Sequence, residues 1–109
     1  AARRIVQGEA AWAWDPARIE HWGNEVDLVH QGQALRIDRL VRERGTGARS
    51  GAWWVMVFKS HEAPHTVAAH REQLLGYRAA LQASEPDQSV RLAFITAQGR
   101  FIELDPDTP

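Results

Sequence analysis

Residues 53–81, WWVMVFKSHEAPHTVAAHREQLLGYRAAL, decide the fold of this chain. The stretch opens with an apolar run that ends in Lys59, which is typical of a central strand buried on both faces. The run breaks before Pro64, and residues 65–83 then carry apolar side chains at helical spacing. A strand followed directly by a long helix predicts a right-handed crossover to a parallel strand.

Four further strands are predicted on either side of this stretch. They span residues 24–30, 34–43, 89–97 and 100–104. The first two show alternating polar and apolar residues around the turn HQGQ, so they predict a hairpin that continues into the strand at 53–59 as an antiparallel meander. The expected fold class is therefore α/β, a mixed sheet of about five strands with one main helix packed on it.

Length and composition restrict the classes of function. A chain of 109 residues with 44% hydrophobic and 25% charged residues predicts one folded domain. The formal net charge of −1 gives no overall attraction to nucleic acid or to membranes, so any nucleic-acid contact requires a local basic patch. The sequence has no cysteine and no apolar run of the ~20 residues that span a bilayer, so we expect a cytoplasmic protein without a membrane partner.

One group of polar residues predicts a site at an edge of the sheet. Asp38 lies near the end of the second strand and Lys59 ends the third, so pairing of the two strands brings both to one edge. Gln73 and Tyr77 are four residues apart and share a helix face, and His70 lies on the same face three residues earlier. A carboxylate, a lysine and a polar helix stripe that converge in this way indicate a functional site.

The segments RIDRLV, WWVMVFKS and EQLLGYRAAL, in this order, resemble the RecB-like nucleases of the PD-(D/E)XK superfamily. The resemblance is closest to the nuclease-type domain at the end of UvrD/Rep-like DNA helicases, and it spans residues 24–104. It implies a restriction-endonuclease-like sheet, with residues 1–109 as a single nuclease-like domain. We expect this domain to be a C-terminal fragment of a longer helicase/nuclease chain, with DNA and helicase domains of the same or a partner chain as its partners.

The resemblance also implies roles for individual residues. Asp38 would be a metal ligand for Mg²⁺ or Mn²⁺, Lys59 would be catalytic, and Gln73 and Tyr77 would face DNA. The chemistry agrees, because carboxylates hold Mg²⁺ beside a scissile phosphate and a lysine neutralises the developing charge.

This sequence departs from the family pattern at one ligand position. The D-[YF]-K signature reads Val57-Phe58-Lys59, and valine has no oxygen to offer a metal ion. Asp38 alone is a poor Mg²⁺ site, so we expect a nuclease fold that has lost its activity. A residually active exonuclease, with Glu25, Glu62 or Glu72 as the second acid, is the first alternative. A pure interaction domain without a nucleic-acid role is the second.

Several of these residues also have purely structural interpretations. Asp38 could pair with a neighbouring arginine, Lys59 could be a solvated strand end, and Gln73 and Tyr77 could form an exposed stripe. The dense basic region could hold a phosphate backbone, with Arg36 and Arg39 as DNA contacts, or could be a solvated edge. That region comprises Arg36, Arg39, Arg42, Arg44 and Arg49.

Two other residue types have mainly structural interpretations. His61, His65 and His70 are interpreted as surface or helix-start residues and not as a zinc site, and His70 is in addition expected to contact nucleic acid beside Gln73 and Tyr77. The five tryptophans are interpreted as large core anchors, with one of the adjacent Trp53 and Trp54 pointing into the core. Alanine-rich residues 1–13 suggest the end of a helix.

Overall fold

The computed structural model describes residues 8–45 and 51–105, and its centre is a five-stranded sheet in the order β1-β2-β3-β4-β5. The strands are β1 (Ile19–His30), β2 (Gln33–Glu43), β3 (Trp53–Lys59), β4 (Val90–Thr96) and β5 (Phe101–Leu104). Helix α1 (Ala68–Ser84) connects β3 to β4, and two short 3₁₀ helices span Ala11–Trp14 and Pro64–Thr66. Within the described ranges, no helix is long and apolar enough to cross a membrane.

The strand directions follow from the connections. β1, β2 and β3 form an antiparallel meander, β4 joins β3 in parallel across α1, and β5 returns antiparallel to β4. The β1–β2 turn places Gln31 and Gly32 at φ of 51° and 76°, the left-handed conformation that tight hairpin turns favour. The predicted α/β class, with a mixed five-stranded sheet and one main helix, is confirmed.

Element boundaries differ from the prediction by more than one residue at two places. β1 begins at Ile19 and not at residue 24, with a register shift between Ile19 and His21 that interrupts the alternation used to recognise a strand. Helix α1 begins at Ala68 and not at residue 65, because Pro64 opens a separate 3₁₀ turn. The predicted helix end within residues 1–13 falls partly outside the described residues, and Ala11–Trp14 form a 3₁₀ helix.

The face of the sheet under α1 carries what we term the helix-side cluster. Its buried members from the helix are Leu74, Tyr77 and Leu81. Its buried members from the strands are Ile37, Leu40, Val55, Val57, Leu92, Phe94 and Leu104. This layer is mostly aliphatic, as expected where a long amphipathic helix covers a sheet.

The opposite face carries what we term the tryptophan-side cluster. Its buried members are Ala10, Ala13, Ile19, Val41, Trp54, Met56, Ala93 and Ile95. Trp12, Trp14 and Phe101 pack partly buried around them. Trp54 is buried here while Trp53 packs partly buried on the helix side, so the prediction that one of the pair is core is confirmed.

The side chains of β1 and β2 change from one face of the sheet to the other at a single irregularity. Ile37 belongs to the helix-side cluster, whereas Arg39, two residues later, reaches the backbone of Ala13 on the other side. Side chains two apart on a regular strand share a face. Glu25 has φ of 51° between the paired positions Asn24–Arg39 and Val26–Ile37, and this distortion accounts for the exchange.

Candidate functional site

Asp38 lies where β2 and β3 separate. The backbone pairing of these strands ends at Arg39 and Met56. Beyond that pair the carboxylate of Asp38 accepts a hydrogen bond of 2.9 Å from the backbone N–H of Phe58. The side chain therefore extends the strand contact past the last backbone pair, and it lies beside the residue that precedes Lys59.

Lys59 ends the apolar strand on the face that α1 covers. Val57 is 2% exposed in the helix-side cluster and is paired in register with Phe94 of β4. Lys59 comes two residues later, so its side chain leaves the strand on the same face, and it is half-buried. Lys59 is also the single lysine of the chain.

His70, in the first turn of α1, lies in the same neighbourhood. Its ring centroid is 6.4 Å from that of Phe94. Burial lowers the pKa of His70 below its ordinary value, and the positive charges of Lys59 and His61 lower it further. His70 at the amino end of α1 is therefore within the electrostatic influence of Lys59 at the carboxyl end of β3, which favours the neutral form of its ring.

Gln73 and Tyr77 interact directly with each other. The Nε2 atom of Gln73 donates a hydrogen bond of 3.0 Å to the hydroxyl of Tyr77. Tyr77 is 7% exposed and its ring belongs to the helix-side cluster. Gln73 and Tyr77 therefore share a helix face, as their four-residue spacing predicted. The aromatic ring of Tyr77 lies in the core, and its hydroxyl meets the amide of Gln73.

Four of the five arginines in the dense basic region lie in the described residues, and each has a partner within the chain. Arg36 forms an exposed ion pair of 2.9 Å with Asp27, and the hydrogen bond to Asp27 raises the pKa of Arg36. Arg42 pairs with Glu20 at 3.2 Å, and Arg44 donates twice to the carbonyl of Pro16. Arg49 lies outside the described residues.

Arg39 is 3% exposed and joins three segments of the chain. Its guanidinium donates to the side-chain oxygen of Asn24 and to the carbonyl of Ala13, each at 2.7 Å. Its central carbon lies 4.4 Å from the ring centroid of Trp14. The first 3₁₀ helix is thereby attached to β1 and β2.

The metal ion implied by the resemblance does not fit the residues present. Asp38 already accepts the N–H of Phe58, and the second ligand position, Val57, is a buried hydrocarbon side chain. In residues 8–45 and 51–105 there is no group of three or more His, Asp or Glu side chains that could hold a metal ion. Divalent ions of this kind require several oxygen ligands.

A cavity on the tryptophan side was not predicted from the sequence. Its volume is about 250 Å³, and it is lined by Trp14, Pro16, Ile19, Trp22, Asn24 and Arg39. Trp22 is 58% exposed, which contradicts its interpretation as a core anchor. The sequence did contain an indication that Trp22 is exposed. In the segment EHWGNE its neighbours along the chain are polar residues and a glycine, and no other large apolar residue is present.

Comparison with known proteins identifies no relative for this arrangement. Models of protein families, curated proteins and solved structures all give no match to the chain. The functional interpretation therefore depends on the residues of this chain and on their geometry.

Proposed function

We propose that the chain is a RecB-like nuclease-fold module of a DNA-repair helicase/exonuclease, which contacts DNA or braces the helicase without cleaving DNA. The observation that carries this proposal is the hydrogen bond from the N–H of Phe58 to Asp38. It puts the aspartate of RIDRLV beside the Val57-Phe58-Lys59 segment, as the resemblance implies. The order of three strands, a crossover helix and a parallel strand agrees with a restriction-endonuclease-like sheet.

The loss of cleavage is supported by the packing of Val57. Metal-dependent hydrolysis of a phosphodiester needs a metal ion that polarises the phosphate and activates a water. At position 57 a side chain that packs with the helix-side cluster replaces the carboxylate that would hold this ion. One remaining carboxylate, Asp38, leaves most of the coordination shell without protein ligands.

The DNA contact would use the residues around the carboxyl end of β3. Lys59 supplies a positive charge there, and His70 and Gln73 supply polar groups on the adjacent helix. Arg36 is exposed on the hairpin, although it also holds Asp27. Arg39 lies on the opposite face of the sheet from Lys59, so within this proposal it supports the scaffold and takes no part in the contact at the carboxyl end of β3.

Fluorescence anisotropy with labelled single- and double-stranded DNA tests this proposal. We expect weak binding that falls with salt, and Lys59→Ala should reduce the slope of log affinity against log salt by about 0.7–0.9, the value of one phosphate contact. Arg91→Ala is the matched control, because Arg91 pairs with Glu103 and lies beside Trp54, towards the opposite end of β3. Salt-independent behaviour would favour a pure interaction domain, and equal slopes for both variants would place any DNA contact away from Lys59.

The single lysine allows a second, chemical readout. Amine-reactive acetylation modifies Lys59 and the terminal amine only, and mass spectrometry distinguishes the two. Bound DNA should protect Lys59 and leave the terminal amine as a reference within the same molecule. Equal modification with and without saturating DNA would contradict the placement of the contact at Lys59.

A residually active nuclease is the second candidate, and the position of Glu25 favours it over other acids. Glu25 lies across from Asp38, between the pairs Asn24–Arg39 and Val26–Ile37 of the hairpin. A plasmid-nicking assay with Mn²⁺ decides between the two candidates. Nicking that EDTA, Lys59→Ala and Glu25→Gln each abolish would establish the active enzyme and overturn the proposal of lost cleavage.

A further inference from the structure

The cavity on the tryptophan side is walled by aromatic and apolar groups and has a buried guanidinium. It opens beside the first residues of β1, on the sheet face opposite the helix-side cluster. Trp22 contributes an indole that is 58% exposed, although tryptophan is normally highly buried. An exposed indole at the mouth of a cavity offers a flat surface on which an aromatic ring can stack.

Within residues 8–45 and 51–105, the guanidinium of Arg39 has no negatively charged partner. Its two hydrogen-bond acceptors, the amide oxygen of Asn24 and the carbonyl of Ala13, are neutral, and its Nε atom is buried without a partner. Among the described residues, no carboxylate forms an ion pair with it. Buried charges are usually paired, so this side chain, 3% exposed at the cavity wall, lacks the counter-charge that folded proteins normally provide.

The polar groups of the cavity are mainly donors. Because the amide oxygen of Asn24 accepts from Arg39, its amide nitrogen is left as a donor. Arg39 has donors only. A matching ligand needs a flat ring for Trp22 and acceptor oxygens, preferably with negative charge, for Arg39 and Asn24. A volume of about 250 Å³ is below the range of drug-sized pockets, so the cavity can enclose only a small ligand, with a flat ring at its mouth on Trp22.

We propose that this cavity binds one nucleotide unit, with its base on Trp22 and its phosphate oxygens toward Arg39 and Asn24. The nucleotide can come from two sources, a free mononucleotide or one residue of single-stranded DNA. The second source rests on the proposed DNA-contacting function, and the first does not.

Isothermal titration calorimetry with the 109-residue chain tests the proposal. The probes are thymidine 5′-monophosphate, thymidine, and an eight-residue oligothymidylate. Trp22→Ala should weaken binding of the nucleotide about tenfold, since loss of one base–aromatic stack has an effect of this order. Trp22→Phe should retain most of the affinity, and thymidine should bind at least about tenfold more weakly than its monophosphate because it lacks the charge.

Val29→Ala is the matched control for Trp22→Ala. Val29 is an apolar residue of the same strand, 78% exposed and not among the cavity residues, so its removal should leave the affinities unchanged. Circular dichroism establishes that each variant is folded. Since both side chains are exposed, neither substitution should disturb the core.

The outcomes separate this inference from the proposed function. Trp22-dependent binding of the monophosphate supports the proposed nucleotide site, with a free mononucleotide as the ligand, even if the oligonucleotide does not bind. Trp22-dependent binding of the oligonucleotide supports the same site, with one residue of single-stranded DNA as the ligand. Oligonucleotide binding that depends on Lys59 and not on Trp22, without Trp22-dependent binding of the monophosphate, overturns the inference and leaves the proposed function standing. Absence of binding by every probe, or equal affinity for thymidine and its monophosphate, also overturns the inference.

Discussion

The two faces of the sheet are covered by different means. On one face the 17-residue helix α1 packs against a mostly aliphatic layer, in which Val57 and Phe94 are buried. On the other face a 3₁₀ helix of four residues provides the cover, together with tryptophan rings and the guanidinium of Arg39. The comparison indicates that a short cover is completed by large aromatic and cationic side chains, and that it leaves a cavity.

The tryptophan side is also joined by directional contacts. The ring centroids of Trp12, Trp54 and Phe101 lie 5.3–5.8 Å apart in edge-on arrangements. Arg91 lies 4.3 Å above Trp54, and the indole N–H of Trp54 donates to Glu43. Edge-on aromatic pairs and cation–π contacts each contribute on the order of 1 kcal/mol beyond area burial. We therefore expect the loss of one such directional contact to cost less than a large truncation on the helix side.

Truncation of Phe94 should give the largest loss of stability. This ring is fully buried in the helix-side cluster, so Phe94→Ala should lower the free energy of unfolding by about 3–5 kcal/mol. Urea denaturation followed by circular dichroism measures the loss, with Val29→Ala as a surface control. A loss below about 1 kcal/mol would contradict the close packing of the helix-side cluster.

Val57→Asp should be the next most destabilising change without metal. It places a carboxylate in a site that is 2% exposed and close to Asp38, which should cost roughly 2–3 kcal/mol. Mn²⁺ should restore part of this loss, because binding to the folded state stabilises it. Thermal melts with and without Mn²⁺ measure both effects. Val57→Asn, which lacks the charge, is the control and should respond less to Mn²⁺.

Arg39→Ala should lower stability by about 1.5–3 kcal/mol, through loss of charge-assisted hydrogen bonds that attach the first 3₁₀ helix. Its matched control is Arg36→Ala, which removes an exposed ion pair and should cost at most about 1 kcal/mol. Urea denaturation compares the two variants. Equal losses would show that the buried guanidinium is not required to hold the tryptophan side together.

The smallest expected effect is a dependence of stability on pH that arises at His70. Its pKa in the folded chain is lower than in the unfolded chain, so the unfolded state binds more protons as the pH falls through the ordinary value of about 6.5. The contribution of His70 to stability is therefore present above that pH and is lost below it. Titration by nuclear magnetic resonance should show a depressed pKa, and Lys59→Met should raise it by removing a neighbouring positive charge. A pKa of His70 at or above 6.5 in the unaltered chain would contradict this arrangement.

Much of the helix-covered half could be predicted from the sequence. The apolar run 53–59, the helical spacing after Pro64 and the alternation around the turn are local patterns, and each predicts its element without reference to the rest of the chain. The contact between Gln73 and Tyr77 is equally local, because a helix puts residues four apart on one face. The period of the sequence predicted the type and order of these elements, and the rule for strand–helix–strand crossovers predicted the direction of β4.

The tertiary structure decided the remaining features. Arg39 is buried because its acceptors on Ala13 and Asn24, 26 and 15 residues away along the chain, reach it only in the folded sheet. Asp38 bonds to Phe58 because β2 and β3 separate beyond Arg39 and Met56, and no local pattern specifies where two strands part. Trp22 remains exposed because the four-residue 3₁₀ helix on its face is too short to cover it. The alternation of a strand specifies which residues share a face, whereas the burial of a face depends on segments that are distant in the sequence.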